Sequence, residues 1–344
     1  MNTIAGARQR RPAWRRRSEI VVVTGASAGV GRATVREFAR RGARLGLISR
    51  DADALQETCR EVESLGGQAV MGVADVSQAS EVESAAAMIE DRLGPIDIWV
   101  NNAMVTVVSP VAELAPDEVR RVTEVTYLGT VNGTLAALKR MRPRNRGAIV
   151  QVGSALAYRA IPLQAAYCGA KFAIRGFTDA LRSELMHDKS RIHVTMVQMP
   201  ALNTPQFQWC RTRMPWQPQP VPPVFQPEVA ARAIYYAAHH RRREILVGLP
   251  TLRAVWINKF IPGLLDRYLA HFGYSSQESR LPVSPDREDN LFNPVHGDFA
   301  AHGRFDRIAR PTSAALWLTT HRVPMMLALA GLASAAFAAR RKPG

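Results

Sequence analysis

The chain is 344 residues long with 47% hydrophobic side chains, enough to bury a large core and long for a single α/β domain. Its formal charge of +16 gathers at the ends: residues 1–17 hold six arginines and no acid, and Arg340, Arg341 and Lys342 add three cations. Three scattered cysteines, Cys59, Cys168 and Cys210, exclude a disulfide framework and a zinc ribbon; no nucleic-acid-binding signature accompanies the charge, so neither a metal nor a nucleic acid is expected.

Residues 1–18 read as a disordered basic arm without the apolar core of a secretory signal. The apolar run Ile20–Val23 then enters Thr24–Gly31, Thr-Gly-Ala-Ser-Ala-Gly-Val-Gly, with glycines at 25, 29 and 31. A strand running into a glycine turn and a helix (29–42) suits a dinucleotide. Glycines let the backbone approach a pyrophosphate, and the helix N-terminus offers it unpaired N–H groups.

Further apolar runs occur at Arg44–Ile48, Ala69–Val73, Ile96–Val100, Ala148–Val152, His193–Val197 and Glu244–Val247. Helical patterns separate them at 52–66, 78–93, 117–141, 164–188 and 227–240. Strands alternating with helices predict an α/β, Rossmann-type doubly wound parallel sheet of about seven strands, with helices on both faces. Eight prolines and four aromatics within 200–227 predict a substrate loop inside this 19–250 domain.

A helical C-terminal extension is expected next, an amphipathic helix over 251–273 broken at Pro262-Gly263. Residues 274–312 read as a polar linker, and 313–344 as a hydrophobic tail. Val323–Ala339 is 17 residues without a charge, at the lower limit of the roughly 17–25 that span a bilayer. Two readings stand: a membrane anchor, or a helix docked on a partner or on the fold.

Catalytic chemistry is carried by Ser154 and Tyr167-x-x-x-Lys171. Ser154 comes after a predicted strand, and Tyr167 and Lys171 share one helix face. A phenol is a poor acid/base at neutral pH unless its anion is stabilised, which a neighbouring ammonium does. Ser154 can hydrogen-bond a substrate oxygen as charge develops on it. Tyr158 has no lysine four residues on and reads as a pocket wall or a packing residue.

With these motifs, Ala74-Asp75-Val76 and Asn101-Asn102-Ala103, the chain resembles the short-chain dehydrogenase/reductase family over about 18–250. The resemblance implies hydride transfer between NAD(P) and a carbonyl or alcohol. It gives Gly25, Ser27, Gly29, Val30 and Gly31 to the pyrophosphate and adenosine ribose, and Asp75 and Val76 to adenine. Asn102 and Ala103 fall to the nicotinamide-side ribose, and Thr204 to the carboxamide. Tyr167 would exchange the proton, Lys171 would lower its pKa and bind the ribose, and Ser154 would orient the carbonyl.

In such folds an acid at the end of the second strand bonds the ribose 2′-OH. Here Ser49 stands there, Arg50 is next, and a guanidinium grips a phosphate, so NADP(H) is expected over NAD. Asp51 reads as a helix N-cap. The chain departs from the family pattern in three places: Thr126 for the usual relay asparagine, Met104 after Asn101-Asn102-Ala103, and Met199–Asn203 before Thr204.

The aromatics of 200–227, the helix over 251–272 and the hydrophobic tail point to a small hydrophobic carbonyl or alcohol as substrate, and the resemblance implies a homo-oligomer through the long helices. The implied location is cytoplasmic, at the membrane's cytoplasmic face if the tail anchors. The alternative is a catalytically weak NADP-binding scaffold or redox sensor recruited to a membrane by its tails.

Overall fold

Valine and isoleucine fill Ile20–Thr24, a composition that favours a buried strand, and all five residues are buried in β1. The structure, a computed structural model, describes residues 18–297 and 299–322. The basic arm before residue 18 and the run Val323–Ala339 lie outside the described residues.

From β1 the chain passes through α1 (Gly29–Ala39), β2 (Arg44–Ser49), α2 (Ala52–Ser64), β3 (Gln68–Val73), α3 (Ala79–Leu93), β4 (Ile98–Asn101) and a short β5 (Val107–Val108). Next come α4 (Pro116–Val122), a π-helical stretch at Thr123–Leu128, α5 (Gly129–Met141), β6 (Ala148–Ser154), α6 (Ala165–His187) and β7 (His193–Met199). The proline-rich loop holds α7 (Gln206–Trp209), β8 (Arg211–Thr212) and β9 (Trp216–Pro218). The remainder is α8 (Pro227–His239), β10 (Glu244–Leu246), α9 (Leu249–Phe260), α10 (Pro262–Phe272), β11 (Glu278–Pro282) and α11 (Ala314–Thr320).

Seven strands form one parallel sheet in the order β10-β7-β6-β4-β1-β2-β3. Val23 of β1 registers with Leu47 of β2 on one side and Val100 of β4 on the other. Strand order reverses between β1 and β4, which leaves a crevice at the strands' C-terminal ends, where such sheets bind ligands. Phe38 of α1, Leu55 of α2 and Ile234 of α8 cover one face. Ile89 of α3, Ala137 of α5 and Leu181 of α6 cover the other.

Residues 274–312 are not a linker. β11 pairs antiparallel with β9, Leu291 and Ala301 are fully buried, and the stretch folds back over the crevice. Its polar composition misleads because backbone and ionic contacts hold it. Gln226 N–H donates to the Arg310 carbonyl (2.9 Å), Arg310 N–H to the Val224 carbonyl (2.9 Å), and Arg211 pairs with Asp289 (2.9 Å).

The proline-rich loop is also more ordered than its composition predicts: Phe207 and Phe225 are buried. The predicted break after α9 falls at Ile261, before Pro262, as proline's missing N–H requires. Among the described residues, no helix is long and apolar enough to cross a membrane.

Candidate active site

The cradle begins with α1, whose N-cap, Ala28, offers no capping oxygen, and whose first turn holds no acid. Its N-terminal N–H groups are therefore left to other acceptors. α2 is the contrast: Asp51 caps it, accepting from Ala54 N–H at 3.1 Å. Gly25 and Gly29 have φ of +64° and +55°, values that only glycine adopts readily. Gly31 is needed for another reason: a Cβ there would lie 1.9 Å from the Gly25 carbonyl oxygen.

Asn102 braces this turn. Its Nδ2 donates to the carbonyls of Thr24 (3.0 Å) and Gly25 (3.2 Å). The N–H groups of Asn102 and Ala103 both donate to Thr24 Oγ1. Asn101 points the other way, into the core, where its Oδ1 accepts from Trp99 Nε1 at 2.8 Å. Its Nδ2 donates to Gln151 Oε1 (2.9 Å) and Thr134 Oγ1 (3.0 Å), and Gln151 Nε2 also donates to Thr134 Oγ1 (2.9 Å). This closed network ties β4, β6 and α5 together beneath the crevice.

Arg50, at the end of β2, lies 4.0 Å from Asp75. Arg121, a residue with no motif to mark it, pairs directly with the same carboxylate. Burial pushes Asp75 up, but hydrogen bonds from Arg121 and Ser77 outweigh it and hold the carboxyl below its ordinary range. Burial and then the Arg121 cation pull the Arg50 guanidinium down, while Asp75 acts the other way. Ser27 Oγ and Ser49 Oγ meet at 3.0 Å beside this corner.

At the other end, β6 delivers Ser154 and α6 delivers Tyr167 and Lys171 one turn apart. Lys171 is buried, its Nζ donates to the Val152 carbonyl at 2.7 Å, and it stands 5.4 Å from the centre of the Tyr167 ring. Burial lowers the ammonium to about 7. Burial also pushes the Tyr167 phenol above its ordinary value, against a hydrogen bond from Ser154. The direction is opposite to the lowering expected from the sequence, because desolvation outweighs the hydrogen bond from Ser154.

Gly25, Ser27, Gly29, Val30, Arg50, Asp75, Val76, Asn102, Ala103, Ser154, Tyr167, Lys171 and Thr204 all line one cavity of about 410 Å³, together with Met104, Pro200 and Ala201. Gly31 and Thr126 are not on it. Thr126 is buried in the π-helical stretch, and its hydroxyl accepts from the Val105 N–H (3.1 Å) and donates to the Val105 carbonyl (3.0 Å). Its short side chain reaches only that backbone, so the predicted relay position does not face the site. Tyr158 is a packing residue: its hydroxyl donates to Glu244 at 2.7 Å and Arg175 stacks on its ring.

The sequence missed a strap, residues 289–297 and 299–303, across the cavity. The Gly29 N–H donates to the Ala300 carbonyl (3.0 Å), and Arg50 donates to the carbonyls of Asn290 (2.7 Å) and Phe292 (2.8 Å). Arg121 Nε donates to the Leu291 carbonyl at 3.1 Å. Phe299 meets Trp209 edge-on at 4.6 Å, and Ala301 is buried with Ala33 and Ala231. Leu291, Phe292 and Phe299 among polar neighbours were the available signal.

A short chain dehydrogenase family profile matches residues 19–214. The chain belongs to the short-chain dehydrogenase family. It is 30% identical over 279 residues to the uncharacterized oxidoreductase YxnA of Bacillus subtilis, covering 80% of this chain and 78% of that one. Estradiol 17-beta-dehydrogenase 11 of Mus musculus is 38% identical over 48% of this chain and 56% of its own length, so the chain spans just over half of that relative. An alcohol dehydrogenase of Thermococcus sibiricus complexed with 5-hydroxy-NADP has a TM-score of 0.58 at 24% identity, covering 67% of this chain and 96% of that one. A short chain dehydrogenase of Mycobacterium paratuberculosis bound to NAD scores 0.59 at 24%, covering 66% and 95%. Both show the same fold.

Family membership makes the chain an NAD(P)-dependent oxidoreductase acting on alcohols or ketones. The residues fit a nicotinamide dinucleotide: a glycine turn leading into α1, an α1 N-terminus with neither a side-chain cap nor a first-turn acid, whose Gly29 N–H the Ala300 carbonyl holds, and a cavity that takes in both Arg50 and Tyr167.

Proposed function

We propose that the chain transfers a hydride between NADP(H) and a carbonyl or secondary alcohol of a hydrophobic substrate, with Tyr167 as general acid/base. The observation that carries this reading is the convergence of Ser154, Tyr167 and Lys171 on the cavity that the glycine turn lines. The bound nicotinamide supplies or takes the hydride. Tyr167 Oη gives a proton to the carbonyl oxygen, or takes one from the alcohol, while Ser154 Oγ donates to the same oxygen. Lys171, held by the Val152 carbonyl, sets its charge beside the phenol as phenolate forms. The neutral phenol that burial favours is the form that reduces a carbonyl.

NADP(H) is supported by charge. Ser49 stands where an acid would reject a 2′-phosphate, and two guanidiniums, Arg50 and Arg121, face one carboxylate, Asp75. The hydrophobic substrate is supported by Leu156, Ile161, Met199, Phe207, Trp209 and Val221 on the cavity wall. Exposed Leu128, Leu135 and Phe172, on the long helices, support self-association. The run Val323–Ala339, between Arg322 and Arg340, suits a membrane anchor on the cytoplasmic side.

The test is NADPH oxidation against a panel of apolar ketones and aldehydes, with Tyr167→Phe alongside. Turnover that Tyr167→Phe abolishes while NADPH binding survives supports the enzyme. NADPH binding without turnover on any substrate, indifferent to Tyr167→Phe, supports a scaffold instead.

A further inference from the structure

We propose that α9 and α10 form a docking face for an anionic lipid surface, and that substrate reaches the cavity from that side. The sequence predicts an amphipathic helix here, and an amphipathic helix ordinarily turns its apolar side to a core. This pair does not. Trp256, Phe260, Leu264, Tyr268 and Phe272 recur every four residues and are 51%, 69%, 61%, 56% and 48% exposed. No residue of α10 is buried, and Thr251 is the one buried residue of α9. The rings cover each other instead: Trp256 stacks on Phe260 at 5.9 Å, and Tyr268 lies 5.1 Å from Phe272. An apolar patch of this kind on a folded surface marks an interaction site.

Charge identifies the partner. Arg253, Lys259 and Arg267 are exposed on the same two helices. The one acid there, Asp266, is taken by Arg159; Arg253 and Arg267 make no ion pair among the described residues. Tryptophan and tyrosine favour the boundary between hydrocarbon and headgroups, and cations beside them are drawn to anionic lipid. A second copy of the chain fits less well, because a two-fold contact through this face would set these cations against their own copies.

The position of the face agrees. α9 and α11 both pack against β10, so the chain leaves α11 near α9. Beyond Arg322 the sequence runs through 17 uncharged residues to Arg340-Arg341-Lys342. Pro250, Thr251 and Ala254 of α9 line the cavity, so α9 has the cavity on one side and the exposed stripe on the other. The delivery half of this inference rests on the proposed hydrophobic substrate; the docking half does not.

The test is co-sedimentation of the full-length protein with vesicles of phosphatidylcholine alone or mixed with phosphatidylserine. The comparison is with a full-length Trp256→Ser/Phe260→Ser/Tyr268→Ser variant. The expected result is salt-sensitive binding to phosphatidylserine vesicles that falls at least tenfold in the variant, while NADPH binding is unchanged. A Leu329→Asp/Leu332→Asp variant separates the tail from the face. Binding lost with the tail variant but untouched by the triple variant overturns the proposal, as does a wild-type dimer that the triple variant dissociates. For a ketone dissolved in the vesicles, the triple variant is expected to lose turnover while keeping it on a water-soluble ketone. Equal loss or equal retention on both overturns lipid delivery.

Discussion

Arg50 Nη2 donates to the carbonyl of Asn290 at 2.7 Å, and so the strap fixes the guanidinium at the Asp75 end of the cavity. Asp75 balances one of the two cations there, Arg50 and Arg121. If that corner reads a 2′-phosphate, Arg50→Ala removes a charge-assisted hydrogen bond worth about 1.5–3 kcal/mol. The apparent KM for NADPH is then expected to rise at least tenfold and that for NADH to change little. Steady-state kinetics with both cofactors checks this, and an unchanged NADPH KM refutes the assignment.

Tyr167→Phe deletes one oxygen and leaves the ring. Loss of a positioned acid/base typically costs about 10²–10⁴-fold in rate. We expect kcat to fall by that order while the NADPH dissociation constant, read by fluorescence titration, stays within about twofold of wild type.

Lys171 makes stability depend on pH. The unfolded chain keeps its proton up to the ordinary 10.5, whereas the folded chain gives it up at about 7. Between these values the unfolded state binds more protons, so this group's contribution to stability rises with pH through the window and is least favourable below it. Lys171→Met removes the buried charge. The urea midpoint of wild type, measured relative to Lys171→Met, is expected to climb from about pH 7 to about pH 9. A constant difference would mean that the ammonium keeps its ordinary value.

Thr134→Val tests the network beneath the site. Its hydroxyl accepts from both Asn101 and Gln151 and donates to the Thr130 carbonyl at 2.7 Å. Valine matches its shape and leaves two buried amides short of an acceptor, at about 1–3 kcal/mol for a stranded group. We expect about 2 kcal/mol of destabilisation by urea unfolding, with NADPH affinity retained in the folded fraction.

The seven strands and the cradle were legible because their signals are local. A parallel strand buried on both faces must be an apolar run, and Gly25 and Gly29 must be glycine where φ is positive. Ser154, Tyr167 and Lys171 were legible as a spacing on one helix after one strand end. Thr126 was not, because which backbone its hydroxyl meets depends on a π-helical stretch that no periodicity announces. Arg121 and the strap were not, because their partners lie far off in sequence: Arg121 reaches Asp75 and the Leu291 carbonyl. Composition marked 274–312 as polar, because a segment held largely by carbonyls and ion pairs carries only isolated apolar residues such as Leu291 and Phe299, without a period.

The hydrogen bond from Gly29 to Ala300 also sets an order of events in time. β1 and α1 are made first, and the loop that brings Ala300 back to them is nearly the whole domain. Closing so long a loop is entropically late. We expect a stage in folding with the sheet assembled and the cradle uncovered. In refolding, burial of Trp99 in the sheet is expected before Trp209 meets Phe299, with the gap between the two signals measuring how long the cradle stands open to nucleotide.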